Sequence, residues 1–287
     1  MIFDYQFRNY NFRALIYMIL LSVLGILVVG SASNQDRSSV IKQIIGVVVS
    51  LIICLVLSLI DYHQYFRFTT LIYVVCAGML AAVLLFGRTT KGATRWLRIG
   101  GIQIQPSEFV KIGLILILAN FLSRNRDKIN EPKTLGMTAL ICVLPVGMVY
   151  LQPNLSTTIV ICFMILCMVY VAGISYKWIA GAVAVGVPGF AALIYLSLQG
   201  FIPFLQKYQA QRIMGKIFHS SSEFTDLNRQ QDNSMMAIGS GQLRGKGLFN
   251  NTLSSVKNGN FLSEEQTDFI FAVIGEELGF VGGVAVI

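Results

Sequence analysis

Three carboxylates lie at and inside the last apolar segment of this chain, where ionisable groups are costly. Asp268 lies at the entrance of the segment, and Glu276 and Glu277 follow about two helical turns deeper. An ionised carboxylate costs about 2.5–3.5 kcal/mol at the centre of a bilayer, so residues of this kind indicate a function. Carboxylates accept and donate protons in catalysis. The sequence therefore predicts a site at the mouth of this segment, and the two deeper glutamates are expected to need partners.

A second set of charged and aromatic residues precedes another apolar segment. A Gln-Pro pair is typical of a helix start there, and it places Glu108 and Lys111 on one face, close enough to pair. The pair either neutralises itself while fixing a helix bundle, or supports a site near the membrane surface. Upstream, Trp96 lies between Arg95 and Arg98. These three residues fit either an aromatic belt at the interface or a surface that meets phosphates.

Other kinds of catalytic site lack support in the sequence. His63 and His219 lie in different loops, without zinc-binding spacing or an adjacent nucleophile motif. The glycine-rich run around Lys246 is not a P-loop, because that motif needs glycine at position 240 and serine or threonine at position 247, where this chain has Ser240 and Gly247. Chemistry must therefore rest on carboxylates, arginines and lysines, which suits a reaction on a phosphate-bearing lipid.

The composition indicates an integral membrane protein. The chain of 287 residues is 55% hydrophobic and 13% charged, against roughly 25% charged in a soluble domain. Its long apolar runs lack the period-2 alternation of a barrel, so the predicted fold is all-α, a polytopic transmembrane helical bundle. We expect a single domain over 1–287 with a large extracytoplasmic loop at about 199–267. The eight predicted spans lie near 14–32, 40–60, 69–87, 107–123, 135–151, 155–173, 176–198 and 268–287.

The charge pattern favours contact with lipid. The net charge is +8, and the basic residues lie beside the spans without the interleaved aromatics of a nucleic-acid module, so no nucleic-acid partner is predicted. The basic cluster in 123–133 favours a cytoplasmic position for that face and for the N-terminus. Segment 201–218 has nearly helical spacing and is predicted to form a basic amphipathic helix on the membrane surface. All five cysteines lie in apolar spans and indicate no disulfide framework.

Several motifs occur in an order that resembles one known family. They are Gly92-Ala-Thr-Arg-Trp-Leu, Gln105-Pro-Ser-Glu-Phe-Val-Lys111, Gln152-Pro-Asn-Leu-Ser-Thr157, Tyr208-Gln-Ala-Gln-Arg-Ile213, Ala237-Ile-Gly-Ser-Gly241, and Thr267-Asp-Phe-Ile-Phe271 with Glu276-Glu-Leu-Gly279. The chain resembles the SEDS proteins (shape, elongation, division and sporulation). Its opening Phe7-Arg-Asn-Tyr-Asn-Phe-Arg13 is more similar to the RodA branch than to FtsW or SpoVE.

The resemblance implies a peptidoglycan glycosyltransferase of the bacterial cytoplasmic membrane. Such an enzyme polymerises lipid II at the extracytoplasmic face in cell-wall elongation and releases undecaprenyl pyrophosphate. Its expected partners are a class B penicillin-binding protein and other membrane proteins of the elongation complex. Two alternatives remain open at this point: a flippase or transporter of the lipid-linked precursor, and a noncatalytic scaffold for the penicillin-binding protein.

The resemblance also implies roles for individual residues. Asp268 is the expected catalytic residue, and Arg212 is the first candidate for stabilising the pyrophosphate leaving group. A divalent cation, Mg or Mn, is expected, although no ligand set can be read from spacing. The other residues expected at the site are Arg95, Trp96, Arg98 and Lys246 for binding substrate, and Glu108, Lys111, Asn154, Glu276 and Glu277 as structural support.

The chain departs from the family pattern in two places. Asn154 and Ser156 replace the aspartate and glycine of the usual Gln-Pro-Asp-Leu-Gly-Thr, so a neutral amide stands where relatives have a carboxylate. Asparagine keeps a similar shape and one acceptor oxygen. The family is also expected to have about ten spans of ~20 residues, and this chain ends in the eighth without the Pro-Phe-x-Ser-Tyr-Gly-Gly motif, which predicts a C-terminal truncation.

Overall fold

The computed structural model describes residues 10–33, 36–90, 93–99, 102–152, 154–199, 225–250, 255, 262 and 265–287. These residues form helices and one small sheet. In chain order the elements are α1 (Phe12–Ala32), α2 (Arg37–Ser58), α3 (Tyr62–Arg67), α4 (Thr69–Phe86), β1 (Arg88–Thr90), β2 (Ala93–Ile99), β3 (Ile102–Ile104), α5 (Pro106–Arg124), a 3₁₀ turn (Arg126–Lys128), α6 (Pro132–Leu151), α7 (Leu155–Val171), α8 (Tyr176–Leu198), α9 (Thr225–Ser240) and α10 (Ile270–Val286).

The predicted helical membrane fold is confirmed. Each of the eight predicted spans coincides with a helix, with ends that differ by a few residues. Among the described residues, five helices are long and apolar enough to cross a membrane, namely α1, α2, α4, α5 and α6, and α7 is a shorter apolar helix. Much of the apolar surface of α1 and α2 is exposed, as expected for helices that face lipid rather than a protein core.

Two elements are additions to the predicted pattern. Strands β1, β2 and β3 form an antiparallel sheet in that order, within a region predicted only as an interfacial loop. Helix α9 lies inside the predicted 199–267 loop, where its polar composition hides it from a search for apolar runs. The predicted amphipathic helix at 201–218 lies outside the described residues.

Side-chain caps and prolines set where several helices begin. Asn11, Asp36 and Asp61 each accept a backbone N–H in the first turn of the helix that follows. The hydroxyl and backbone N–H of Ser39 donate to Asp36, and these bonds hold the pKa of its carboxyl below the usual value. Helices α5 and α6 instead begin with a proline, which lacks the N–H that would have no partner there.

The chain forms two compact units, Asp61–Leu205 and the combination of Met1–Ile60 with Gln206–Ile287. The core of the first of these joins α4, α5, α6 and α7. Gly113 lets α4 and α5 approach closely, since a Cβ there would lie 2.8 Å from Cys76 Sγ. The residues buried in this core are Cys76, Leu80, Val110, Leu114, Val149 and Ile161.

The other unit is organised around a break in α10. Gly279 interrupts this helix with φ 67° and ψ −166°, a conformation nearly restricted to glycine. The backbone groups released by the break bind the loop that follows α9. The N–H groups of Lys246 and Gly247 donate to the carbonyls of Glu276 and Glu277, both at 2.9 Å. In the opposite direction, the N–H groups of α10 residues 280 and 281 donate to the carbonyls of residues 242 and 243, at 2.8 and 3.2 Å.

Glycines make this backbone contact possible. A Cβ on Gly241 would overlap the carbonyl oxygen of Gly275, and a Cβ on Gly245 would overlap that of Glu277. Gly279 is equally confined, because its Cβ would meet the backbone nitrogen of Gly245. We call this contact, formed by residues 241–247 and 275–281, the glycine interlock. It satisfies backbone groups that would otherwise be buried without a partner.

We expect Gly245→Ala to destabilise the protein by about 2–4 kcal/mol, because it adds a steric overlap to the strain of a positive φ. Gly247→Ala is the matched control, since Gly247 also has a positive φ of 92° but open space around its Cβ position. The control should lose only about 1–2 kcal/mol. The apparent melting temperature of the detergent-solubilised chain measures both effects. Equal losses would contradict the steric account of the interlock.

Candidate functional site

Asp268 lies at the surface, immediately before a rigid helix. It is exposed in the turn at 265–269 that leads into α10. The N–H of Ala272 donates to the Phe269 carbonyl at 2.9 Å, and Ala272, Val273 and Ile274 are all buried. The position matches the prediction of a carboxylate at the entrance of the segment. An exposed carboxylate on a packed support can reach a substrate hydroxyl without the cost of burying a charge.

The two deeper glutamates are almost fully buried, and both have partners within this chain. Glu276 is 2% exposed, and its Oε1 accepts from Lys246 Nζ at 2.7 Å. Glu277 is 1% exposed, and its Oε1 accepts from the hydroxyl of Ser31 in α1 at 2.6 Å. The partners expected from the cost of burial are therefore present in the described structure. The sequence does not single out Ser31, since a serine near the end of an apolar helix carries no signal of a partner more than 200 residues away.

The bond to Glu276 gives Lys246 a structural role. Its ammonium group lies against a buried carboxylate, and the Lys246 side chain as a whole is 24% exposed. Removing one partner of a buried ion pair costs about 3–5 kcal/mol, because the remaining charge stays buried. The predicted role of Lys246 in binding substrate stays a prediction, whereas the geometry shows that it compensates Glu276.

Ser31 connects α1 to the α10 part of the glycine interlock and to the chain just after its loop. Besides donating to Glu277, its oxygen accepts the backbone N–H of Phe249 at 3.1 Å. Ser31 is 1% exposed. Helix α1 packs against α10 through Val28, Ala32, Val273 and Ile274, so the polar contact lies beside an apolar one.

We expect Ser31→Ala to lower the stability of the folded chain by about 1–3 kcal/mol, because it removes a buried hydrogen bond to a carboxylate. Ser33→Ala is the matched control on the same helix, since the Ser33 hydroxyl is buried without a hydrogen-bond partner among the described residues. The control should be neutral or slightly stabilising. Thermal unfolding followed by tryptophan fluorescence compares the two, and equal stability of the two variants would refute the role of Ser31.

Strand β2 carries the three residues predicted to bind substrate, Arg95, Trp96 and Arg98. Residues two apart on a strand share a face, so Trp96 and Arg98 lie on the same face. Arg88 pairs with Trp96 and Thr89 with Thr94, so Arg95 is the extra residue of an irregularity in the strand, where alternation is interrupted. Trp96 is half-buried and pairs in register with Arg88, while Arg98 is exposed and pairs with Gln103. The Nε of Arg95 is buried. The strand therefore brings together Trp96 and Arg98 as a possible binding face and gives Arg95 a different environment.

The predicted pair at the start of α5 is present. Lys111 Nζ donates to Glu108 Oε2 at 2.8 Å, with side chains 28% and 54% exposed. An exposed pair of this spacing contributes only about 0.2–0.5 kcal/mol to a helix. The pair lies in the first turn, so its charges remain near the helix end rather than at the middle of the span.

Asn154, which replaces the family's aspartate, caps α7. Its Oδ1 accepts from the Thr157 N–H at 3.4 Å, and the Thr158 hydroxyl donates to its backbone carbonyl at 2.8 Å. Asn154 is 3% exposed, and its Nδ2 donor has no partner among the described residues. Neighbouring Gln152 is 1% exposed, with its Oε1 also unpartnered. Two buried amides thus mark the position where the family resemblance implies a carboxylate.

We expect Asn154→Ala to destabilise the chain by about 0.5–2 kcal/mol through loss of the helix cap. Asn154→Asp should stay close to the unchanged chain, because it keeps the acceptor oxygen and places a negative charge at a helix N-terminus. Thermal unfolding of both variants in the same detergent provides the comparison. If Asn154→Asp proves as unstable as Asn154→Ala, the acceptor oxygen does not stabilise α7.

Two predictions remain without a structural test. Arg212 lies outside the described residues. The divalent cation stays a prediction as well, because no group of three or more histidine, cysteine, aspartate or glutamate side chains in the described ranges lies close enough together to hold a metal ion. The described residues therefore supply no ligand set for a metal ion.

Comparison with known proteins gives the family. The profile described as "Cell cycle protein", which covers FtsW, RodA and SpoVE, matches residues 12–287. The peptidoglycan glycosyltransferase MrdB of Escherichia coli K12 is 35% identical over 269 residues, which are 93% of this chain and 69% of MrdB. A probable peptidoglycan glycosyltransferase FtsW of Shewanella sediminis is 32% identical, over 96% of this chain and 66% of that protein.

Solved structures agree with this result. A chain of a peptidoglycan synthase complex that coordinates polymerization and crosslinking matches with a TM-score of 0.73 and 25% identity, over 97% of this chain and 74% of the other. The rod shape determining protein RodA of Thermus thermophilus matches in fold with a TM-score of 0.64 at 24% identity, over 98% of this chain and 71% of RodA. The chain therefore belongs to the FtsW/RodA/SpoVE family of multi-pass membrane proteins, as its ordered motifs predict.

Proposed function

We propose that this chain is a peptidoglycan glycosyltransferase that polymerises lipid II during cell-wall elongation and the control of cell shape. The enzyme class follows from its relatives, which are named peptidoglycan glycosyltransferases at 30–35% identity over most of the chain. The observation that carries the mechanism is the position of Asp268, which is exposed just before a helix that is buried from Ala272 onward.

The proposed reaction is an inverting displacement at the anomeric carbon of the donor glycan. Asp268 accepts the proton of the acceptor sugar's 4-hydroxyl as that oxygen forms the new glycosidic bond. The bond from the anomeric carbon to the pyrophosphate oxygen breaks, and undecaprenyl pyrophosphate leaves with the electron pair. The protonated carboxyl then returns its proton to water.

The leaving group carries concentrated negative charge, which cationic side chains must stabilise. Arg212 remains the first proposed residue for this task, from its position in the Tyr-Gln-x-Gln-Arg pattern. The face of β2 that carries Trp96 and Arg98 supplies an exposed guanidinium next to an aromatic ring, a combination suited to phosphate and sugar. Lys246 contributes indirectly in this scheme, by holding Glu276 in the glycine interlock.

The proposal also includes a place and a partner. Polymerisation is assigned to the extracytoplasmic face of the bacterial cytoplasmic membrane, with the N-terminus in the cytoplasm, because of the basic cluster at 123–133. A class B penicillin-binding protein is the proposed partner, together with other membrane proteins of the elongation complex. The match to a chain of a peptidoglycan synthase complex supports a partner that crosslinks the polymer.

A noncatalytic scaffold for the same partner is the second candidate. One observation favours it: the buried Asn154 is neutral where relatives have an aspartate. In this alternative the chain binds its partner but forms no glycan.

We expect Asp268→Asn to lower the yield of glycan polymer by about 10²–10⁴-fold, the usual contribution of a general base. The substitution keeps the size of the side chain and removes its ability to take a proton. The assay combines purified lipid II with the chain and its penicillin-binding protein partner, and measures polymer length on a gel.

Glu131→Gln is the control for loss of one negative charge. Glu131 is exposed before α6, and its side chain makes no capping bond. It should leave the polymer yield unchanged. If the unchanged chain makes polymer and Asp268→Asn makes as much, the catalytic role of Asp268 is rejected. If the unchanged chain binds the partner but makes no polymer, the scaffold is favoured.

A further inference from the structure

A cavity of about 770 Å³ lies at the end of unit Asp61–Leu205 where α5 and α7 end. Its size is within the roughly 300–1,000 Å³ of ordinary ligand pockets. One wall is apolar and includes Leu122, Met168 and Val171, and the other contains the 3₁₀ turn with Arg126 and Asp127. The cavity therefore combines an apolar interior with two opposite charges.

The cavity lies at a membrane–water boundary. Helix α5 has 19 residues, which span about 28 Å at 1.5 Å per residue, close to the thickness of a hydrocarbon core. Glu108 lies in the first turn of α5 and Asn154 caps the start of α7, while the cavity lies at the opposite ends of both helices. About the length of a membrane span therefore separates the cavity from Glu108 and Asn154 in this unit.

The chain just after the turn that carries the two charges is bonded to the start of α8. Asn130 Oδ1 accepts the backbone N–H of Ser175 at 2.7 Å, and the indole N–H of Trp178 donates to the Asn130 carbonyl at 3.3 Å. Gly173 has a φ of 95°, which allows the chain to turn between α7 and α8. A tryptophan in this position is typical of a residue at the head-group level of a bilayer.

Both charged residues are available to a ligand. Arg126 and Asp127 are exposed, and within the described ranges neither side chain takes part in a hydrogen bond or an ion pair. A guanidinium group binds phosphate through two parallel hydrogen bonds, and a carboxylate binds a primary ammonium group that can donate to it. The mouth of the cavity thus offers complementary groups to a molecule that has both.

We propose that this cavity binds a phospholipid whose head group carries a phosphate and a primary ammonium group. Arg126 binds the phosphate, Asp127 binds the ammonium group, and the first part of one acyl chain lies against Leu122, Met168 and Val171. Val171 is 84% exposed and continues this apolar wall toward the lipid-facing surface. The wider cluster at 123–133 is basic, so an anionic lipid without an amine is the alternative that the experiment must separate.

Native mass spectrometry of the full chain tests the lipid preference. The purified protein is offered an equimolar mixture of phosphatidylethanolamine, phosphatidylglycerol and phosphatidylcholine with identical acyl chains. We expect phosphatidylethanolamine to be retained in excess over both others, because phosphatidylglycerol lacks the ammonium group and the choline group cannot donate a hydrogen bond. Retention of phosphatidylglycerol at an equal or higher level would overturn the proposal in favour of general attraction to the basic cluster.

Variants at the mouth of the cavity test the assignment of groups. Arg126→Gln should lower retention of phosphatidylethanolamine about two- to fivefold, as expected for one exposed charged contact. Asp127→Asn should bring its retention down to that of phosphatidylcholine. Lys128→Gln is the control, since it removes a charge from the same turn without lining the cavity. An equal effect of Lys128→Gln and Arg126→Gln would refute the site.

A variant inside the cavity tests the acyl-chain position. Ala119 lines the cavity, and Ala119→Phe narrows it without altering charge. Retention of phosphatidylethanolamine should fall, with the apparent melting temperature measured alongside to confirm that the chain is folded. Unchanged retention in a folded Ala119→Phe variant would show that the lipid does not enter the cavity.

Discussion

The unit that carries Asp268 depends on one constraint: a helix that is broken inside the fold must have its released backbone groups satisfied. Gly279 breaks α10, and the loop at 241–247 supplies both the donors and the acceptors that the break requires. Main-chain groups come this close only because glycines occupy the contact positions. The buried glutamates then lie where Lys246 and Ser31 reach them, and Asp268 is held at the start of the same helix. The backbone contact therefore fixes the partners that offset the cost of burying acidic residues in an apolar segment.

The three carboxylates differ in role for physical reasons. Burial of Glu276 and Glu277 commits their oxygens to partners within the chain, so they fix the position of α10 rather than exchange protons with a substrate. Asp268 is exposed and precedes the first buried turn, which leaves its oxygens accessible. A similar difference is seen on β2, where Arg98 is exposed and the Nε of Arg95 is buried. Burial therefore separates residues of similar chemistry into supporting and accessible ones.

Sequence reasoning performs well where the signal is local and less well where it depends on distant contacts. The apolar runs predict the spans, and the Glu108–Lys111 pair follows from helical spacing alone. The ordered motifs predict the family, which the comparisons confirm. Ser31 and the break at Gly279 could not be predicted in this way, because their roles depend on partners far along the chain. Helix α9 is polar and short, so no apolar period marks it. The single domain remains a prediction, since the described residues form two compact units.

The glycine interlock also limits how this chain can exchange parts with its relatives. The loop at 241–247 and the broken helix fit each other through main-chain atoms, and no side chain can adjust to absorb a mismatch. A recombinant that takes α10 from one relative and the preceding loop from another would join two backbones shaped for different counterparts. The two segments must therefore be exchanged together, although more than twenty residues separate them along the sequence.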